Sequence, residues 1–399
     1  MVLLKGLTSD ATCAAIEARE VGDAILQACR GTYLLGDYEY DGTTSIGITL
    51  FRGKQDDADE LLKRADLAMY RAKALGRNAI CLFDPAMESA AASRAALLSD
   101  LRRALQNHEF ELHYQPQMDS DGRVTGGEAL TRWRHAQRGM VPPSEFIALA
   151  ESAGLIVELG QWVLETACRQ LAEWARQPQL ENLTVAINVS IRQFLDGRFA
   201  QLVEKAIRES GADPQRLKLE ITESFMIERA NEIIAKMEAL KSIGIGFSLD
   251  DFGTGFSSLS QLKRLPLDQL KIDQSFVRDV LNGVKDASIV RAIIALGRSL
   301  NLLVIAEGVE TEEQRKFLEG LGCFAFQGYL FSPALSAPLF ENFVKETHRL
   351  KDRPLPENGI LFPGQPCGDY GLESASIEAE GLAGSWTVGN AVVRAPTIT

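Results

Sequence analysis

Between about Asn107 and Lys351 the chain repeats one unit: a short apolar, β-branched run, in most cases followed by a segment of helical periodicity. The runs are Glu109–Met118, Val124–Trp133, Leu183–Val189, Leu217–Thr222, Ile245–Asp250, Gln269–Ile272, Leu302–Ala306 and Phe324–Leu330. Eight such strands within roughly 250 residues match an α/β fold of the (β/α)8 barrel type. A doubly wound open sheet uses the same units and is the runner-up. The link from Asp119 to Gly122 is too short for a helix and reads as a hairpin, so the first strand is expected to run antiparallel to the second.

Polar residues collect where these runs stop. Gln115 lies in the first, Glu128 in the second with Arg132 beyond it, and Asn188 ends the third. Glu220 and Glu223 end the fourth, Asp250 and Asp251 the fifth, Lys271 and Asp273 the sixth, Glu307 and Glu310 the seventh; Gln327 lies in the eighth. In a barrel these ends meet on one face, where active sites are assembled from different strands. Carboxylates gathered there repel and raise one another's pKa unless cations offset them. Oxygen donors with one amide favour Mg²⁺ or Mn²⁺, and a pair of such ions suits attack of water on a phosphodiester. Lys271 would hold that water or a phosphoryl oxygen, or else form a buried salt bridge with Asp273 or Glu307. Arg132 would fork onto a phosphate or stand as a rim charge. Glu310 fits a helix N-terminal acid better than a catalytic one. The adjacent acids Asp250 and Asp251 are costly at a strand end, because neighbouring residues point to opposite faces. The loop that follows carries Gly253 and Gly255, so it is able to close over a ligand.

Composition narrows the function classes. Of 399 residues, 46% are hydrophobic and 24% charged, an ordinary balance for a globular protein with sizeable cores. The net charge of −12 disfavours a surface for long nucleic acids. No apolar run is long enough to span a bilayer and no signal peptide is evident, so a cytoplasmic location is expected. The six cysteines form no Cys-x-x-Cys pair, which argues for reduced thiols and against zinc. The four histidines share no metal-like spacing and read as structural or surface residues.

Residues 1–84 alternate strand and helix signals: a strand at Ser45–Leu50, an Asp57/Glu60 capping box, then a helix carrying Leu61, Leu62, Ala65, Ala68, Met69 and Ala72 and stopped at Gly76. An alanine-rich linker helix is expected within residues 85–106, the barrel over 107–351, and a Pro/Gly-rich tail without periodicity over 352–399.

The strings Tyr114-Gln115-Pro116, Glu128-Ala129-Leu130 with Arg132-Trp133, Asn188-Val189-Ser190, Glu220-Ile221-Thr222-Glu223, Asp250-Asp251-Phe252-Gly253-Thr254-Gly255, Lys271-Ile272-Asp273, Glu307-Gly308-Val309-Glu310 and Gln327-Gly328-Tyr329 occur in order across about Ser99 to Lys351. In this the chain resembles the EAL-domain cyclic di-GMP phosphodiesterases. The resemblance implies a TIM-like barrel with one antiparallel strand, two Mg²⁺ or Mn²⁺ ions per site, poor turnover with Ca²⁺, hydrolysis of cyclic di-GMP to linear pGpG, and a homodimer formed through this domain. It implies Glu128, Asn188, Glu220 and Asp250 as ligands of one metal. Asp251 and Asp273 would serve the second, with Glu307 close by in a general-base role. Lys271 would hold the nucleophilic water, Gln115 and Arg132 would contact substrate, and Gln327 would support the site. Glu223 would steady the Asp251–Ser258 loop; Phe256 stands where many members have Tyr. No ligand position is degraded.

Ser45-Ile46-Gly47-Ile48, Ala65 to Lys73 and Gly76-Arg77-Asn78 resemble the later half of a GGDEF domain. Val2-Leu3-Leu4 falls where the strand after the signature turn is expected, and no Gly-Gly-Asp-Glu-Phe string occurs, so a partial module without a cyclase site is expected. Two other functions compete with the hydrolase. One is a non-catalytic cyclic di-GMP receptor signalling through the loop near Gly255; an intact carboxylate set disfavours it. The other is a sugar-phosphate barrel enzyme, which calls for a phosphate-gripping glycine loop after strands seven and eight. Gly308 and Gly328 are too isolated to supply one.

Overall fold

The computed structural model describes residues 1–36, 38–53, 57–223, 230–254, 259–351, 385–388 and 391–394. The chain divides into two compact units, Met1–Leu101 and Arg102–Thr399.

In the first unit, strand Ile46–Ile48 pairs in parallel with Ile80–Leu82, and Gly31–Leu35 forms an antiparallel pair with Tyr38–Gly42. Helix Ala58–Ala74 buries Ala68 and Ala72, and Gly76 follows its end at a φ of 105°. Two expectations fail here. Val2–Leu4 forms no strand, lying outside both pairs. Asp57 is the N-cap, but its side chain makes no capping bond. Glu60 is drawn instead to Arg64 at 3.3 Å and Lys63 at 3.5 Å, cations one turn along its own helix.

The second unit is a closed barrel. Its strands, in chain order, are β1 (Phe110–Asp119), β2 (Val124–His135), β3 (Thr184–Asn188), β4 (Leu217–Thr222), β5 (Gly246–Phe252), β6 (Gln269–Ile272), β7 (Leu303–Ala306) and β8 (Ala325–Gln327). Strands β2 to β8 pair in parallel, each with the next. β1 runs antiparallel both to β2, through the expected hairpin, and to β8, which closes the ring and rules out the open sheet. Short strands Gly139–Val141 and Leu335–Ser336 extend the sheet from β2 and β1.

Alternation along each strand sorts side chains between axis and wall. On β4 to β6 the outward set Leu217, Leu219, Ile221, Phe247, Leu249, Leu270 and Ile272 is buried in the main core. Phe247 meets Phe194, on the helix after β3, edge-on at 6.3 Å. At the hairpin, Tyr114 and Trp174 pack at 5.0 Å, and Trp174 stacks on Phe340 at 5.1 Å, pinning β1 between two flanking helices. The inward set of the same strands is polar: Lys218, Glu220, Ser248, Asp250, Gln269 and Lys271. Within the 352–399 tail, Ser385–Val388 pairs antiparallel with Ala391–Arg394; the rest of that segment lies outside the described residues.

Candidate metal and active site

Lys271 is the hub of the rim. It points inward from β6 with 0% exposure, and its Nζ reaches Glu220 Oε2 at 2.8 Å, Glu128 Oε2 at 3.1 Å and Asp250 Oδ1 at 3.3 Å. It also pairs with Glu307. Burial alone would discharge the amine, but these four carboxylates hold its pKa well above the usual lysine range. The expectation of a simple pair with Glu307 or Asp273 thus gives way to one cation among four acids.

Amides complete the cage. Glu128 accepts from Asn188 Nδ2 at 2.6 Å and from Gln327 Nε2 at 2.7 Å. Burial opposes ionisation of Glu128, yet Lys271 and these donors keep its carboxyl below the normal range. Gln327 Nε2 also donates to Gln115 Oε1 at 3.0 Å, and Gln327 Oε1 accepts from Gln117 Nε2 at 3.1 Å. Gln117 was missed in the sequence, although its two-residue spacing from Gln115 puts both on one face of β1. The remaining acids are less compensated. Burial, reinforced by neighbouring carboxylates, raises Glu220 and Asp250 and pushes Glu307 up to about 8.

Asp250 and Asp251 share one side because the strand is kinked between them. Leu249 pairs with Leu270 and Phe252 with Ile272, so β5 carries one residue more than β6 across this step. Asp251 takes up the extra residue in a left-handed conformation, φ 54°. This bulge re-aims its carboxylate, which joins Asp250 and Glu307 in one cluster. Burial and the charges of Asp250 and Asp273 push Asp251 up to about 6. Asp273 caps helix Gln274–Arg278 through Ser275 N at 3.0 Å, which fixes its carboxylate beside the rim. Gly308 turns the chain just after Glu307 at φ 63°, where a Cβ would fall 2.6 Å from Gln274 Cβ. The next helix, Glu312–Gly320, opens with a Thr311/Gln314 capping box. Gln314 also donates to the carbonyls of Val277 and Arg278, tying the Glu307 loop to the Asp273 helix.

Arg132 and Glu223 make contacts of their own. Arg132 is half-buried, with Nη1 donating to Thr131 O at 3.1 Å. Glu223 Oε2 accepts from Gly253 N–H at 3.3 Å, at the near end of the loop it was expected to steady. Gly255, Phe256 and Ser258 of that loop lie outside the described residues. Glu310 is exposed and just precedes the Thr311 cap. His135 Nδ1 accepts from Gln137 and Arg138 backbone N–H groups, a structural role.

The donor chemistry fits divalent cations. Among the described residues, Glu128, Glu220 and Asp250 form one carboxylate cluster, and Asp250, Asp251 and Glu307 a second, each with oxygens within 4.8 Å of one another. The two share Asp250, and most of their carboxyls are pushed toward the protonated form, as expected where negative charge exceeds the single lysine's compensation. Hard oxygen donors in this number suit Mg²⁺ or Mn²⁺ rather than a thiophilic metal.

The family model for the EAL domain matches residues 98–334, more than half of the chain. The chain belongs to the EAL domain family. The model for the diguanylate cyclase GGDEF domain matches residues 1–79, ahead of the EAL domain. The bifunctional diguanylate cyclase/cyclic di-GMP phosphodiesterase MucR of Pseudomonas aeruginosa is 43% identical over 329 residues, covering 81% of this chain and 48% of MucR. The cyclic di-GMP phosphodiesterase PdeR of Escherichia coli is 39% identical over 339 residues, 85% of this chain and 51% of PdeR. The chain therefore spans about half the length of these curated relatives. The solved PaMucR phosphodiesterase, in complex with c-di-GMP, is 44% identical with a TM-score of 0.60, covering 61% of this chain and 99% of that one. No described helix is long and apolar enough to cross a membrane.

Proposed function

We propose that this EAL domain hydrolyses cyclic di-GMP to linear pGpG with two divalent ions, Mg²⁺ or Mn²⁺, bound at the carboxylate rim. The observation that carries the reading is the pair of oxygen clusters sharing Asp250 around a buried, charged lysine. MucR and PdeR, named for cyclic di-GMP chemistry, supply the substrate.

Glu128, Asn188, Glu220 and Asp250 would hold one ion; Asp251 and Asp273 would hold the other, with Asp250 and Glu307 at hand. The ions would supply Lewis-acid activation of water and neutralise the phosphodiester. Lys271, held protonated by its four acids, would turn one of its three N–H donors from a carboxylate to the attacking water once ions share those carboxylates. Glu307, at the rim beside Lys271 and Asp250, accepts the water's proton as the new P–O bond forms; the P–O3′ ester bond breaks, and the departing ribose 3′-oxygen takes up a proton to leave a 3′-hydroxyl and a terminal 5′-phosphate. Gln115 and Arg132 meet the substrate, Arg132 through its guanidinium on a phosphate oxygen, while Gln327 keeps Glu128 and Gln115 in register. Glu223 anchors the loop that begins at Asp251. The larger, looser coordination of Ca²⁺ leaves water poorly placed, so calcium binds and inhibits. The domain acts as a homodimer.

Incubation with cyclic di-GMP and Mg²⁺, with and without chelator, followed by nucleotide separation, tests this. Linear pGpG that disappears on chelation is expected. Binding of cyclic di-GMP without any linear product would refute the hydrolase reading in favour of a receptor.

A further inference from the structure

One pleat below the rim, toward the amino ends of the strands, the barrel axis carries a second polar layer: Lys218 on β4, Ser248 on β5 and Gln269 on β6. Ser248 is in register with Glu220 on one side and with Gln269 on the other. Ser248 and Gln269 are each 0% exposed and Glu220 is 1%. All three face the axis, because the alternate residues Leu219, Phe247 and Leu270 face the core outside the ring.

Their hydrogen bonding is incomplete in a specific way. Lys218 Nζ donates to Gln269 Oε1 at 2.8 Å. An ammonium only donates, so this bond fixes the amide's orientation and turns Nε2 the other way. Gln269 Nε2, Ser248 Oγ and Glu220 Oε1 are buried without a hydrogen-bond partner among the described residues. They come from three consecutive strands, with Ser248 in register with both of the others, and none is bonded to another. Their chemistry is complementary: an amide nitrogen donates, a carboxylate oxygen accepts, and a hydroxyl does either. A guest that serves all three must both accept and donate. A cation is repelled by the amide hydrogens and the nearby Lys218, and an anion by Glu220. Water meets the requirement, with the two to four polar partners that a buried water needs.

We propose that the barrel holds a structural water beneath Glu220, bound by Gln269 Nε2, Ser248 Oγ and Glu220 Oε1, and that Ser248 and Gln269 act through it as positioning residues for Glu220. The water site stands on the geometry alone; the positioning role rests on Glu220 being a metal ligand, as in the reading above. Outer partners of metal ligands orient them, and losing one typically costs ten- to a hundredfold in metal affinity.

The test uses the full chain and has two readouts, neither of which needs turnover. The first is ordered water density at Ser248 and Gln269 in metal-free and Mg²⁺-loaded crystals. The second is the Mg²⁺ concentration for half-saturation, measured calorimetrically without nucleotide. Ser248→Thr and Ser248→Val add the same bulk and differ only in the hydroxyl. The parent and Ser248→Thr are expected to show the water and similar half-saturation; Ser248→Val is expected to lose the water and need about tenfold more Mg²⁺. Should the valine variant not fold, Ser248→Ala removes the hydroxyl without added bulk and is expected to shift half-saturation in the same direction. Absence of the water in the parent, with Ser248 Oγ bonded directly to Gln269 or Glu220 Oε1 touching only the ion, would overturn the site. Equal half-saturation in the threonine and valine variants would overturn the positioning role. A parent that binds no Mg²⁺ sinks the hydrolase reading and the positioning role together, and the density alone then decides the water.

Discussion

The outer wall and the axis of the barrel are made from the same strands, yet they obey opposite rules. On β4, Leu217, Leu219 and Ile221 face outward into the core, while Lys218 and Glu220 face inward. The wall is apolar and its contacts are mutually supportive. The axis concentrates like charges whose proton affinities are raised by burial and by one another, with Lys271 as a partial offset. Stability is thus expected to reside in the wall and chemistry in the axis, a pleat apart. Substitutions on the two faces should separate the two properties.

The largest effect is expected at Asp250, which both oxygen clusters share. Asp250→Asn keeps the shape but removes a ligand charge, so turnover of cyclic di-GMP should vanish while the metal-free protein melts no lower than the parent. Product assays beside thermal melts check both halves. Turnover at the parental level would break the assignment of Asp250. The converse substitution is Leu219→Ala in the wall, at a fully buried site. It should cost about 2–5 kcal/mol by urea denaturation while the remaining folded protein keeps parental metal half-saturation. A matching shift in metal binding would show that wall and axis are coupled.

The pH dependence sharpens the contrast. Burial and neighbouring acids raise Glu307 from 4.5 to about 8, and Asp251 from 3.8 to about 6. The metal-free native state therefore binds more protons than the unfolded chain between the ordinary and the raised values. By linkage these two groups make the metal-free protein lose stability as pH rises from about 4 to about 8. Glu128, whose carboxyl is lowered, contributes in the opposite sense, but only at acidic pH. Metal must displace the extra protons, so loading at pH 7 should release them and tighten as pH rises. Calorimetry in two buffers of different ionisation enthalpy reads this directly; an identical heat in both would contradict the raised values. The smallest effect is expected at Glu223, which accepts from Gly253 N–H at the start of the loop. Glu223→Ala should leave stability within about 1–2 kcal/mol and shift the Mg²⁺ dependence of turnover. Superimposable metal titrations would remove Glu223 from the loop's control.

Much of this was legible before any coordinates. Strand spacing located all eight barrel strands to within a few residues at each end, because each alternates or is apolar and is bounded by turn signals. The short Asp119–Gly122 link correctly implied the antiparallel first strand. The rim acids were visible as strand-end residues, since a barrel brings those ends together whatever lies between them. Less legible were features set by partners distant in sequence. The Asp57/Glu60 capping box looked sound locally but lost to Arg64 and Lys63. The buried status of Ser248 and Gln269 depends on which face of a strand turns inward, and the alternation carries that information only once the ring is closed. Gln314, whose amide bridges two loops, has no sequence signature beyond its capping position.

The kink at Asp251 bears on how such a site could be moved or redesigned. Aspartate is among the few non-glycine residues that tolerate a left-handed backbone. A chain that carried every acid but ran straight through this step would send one of the twin carboxylates into the wall. Transplanting the chemistry to another barrel therefore means importing an extra residue's worth of backbone as well as a set of side chains. A β-branched residue at position 251 would do harm on two counts, deleting a charge and resisting the bend that aims its neighbour.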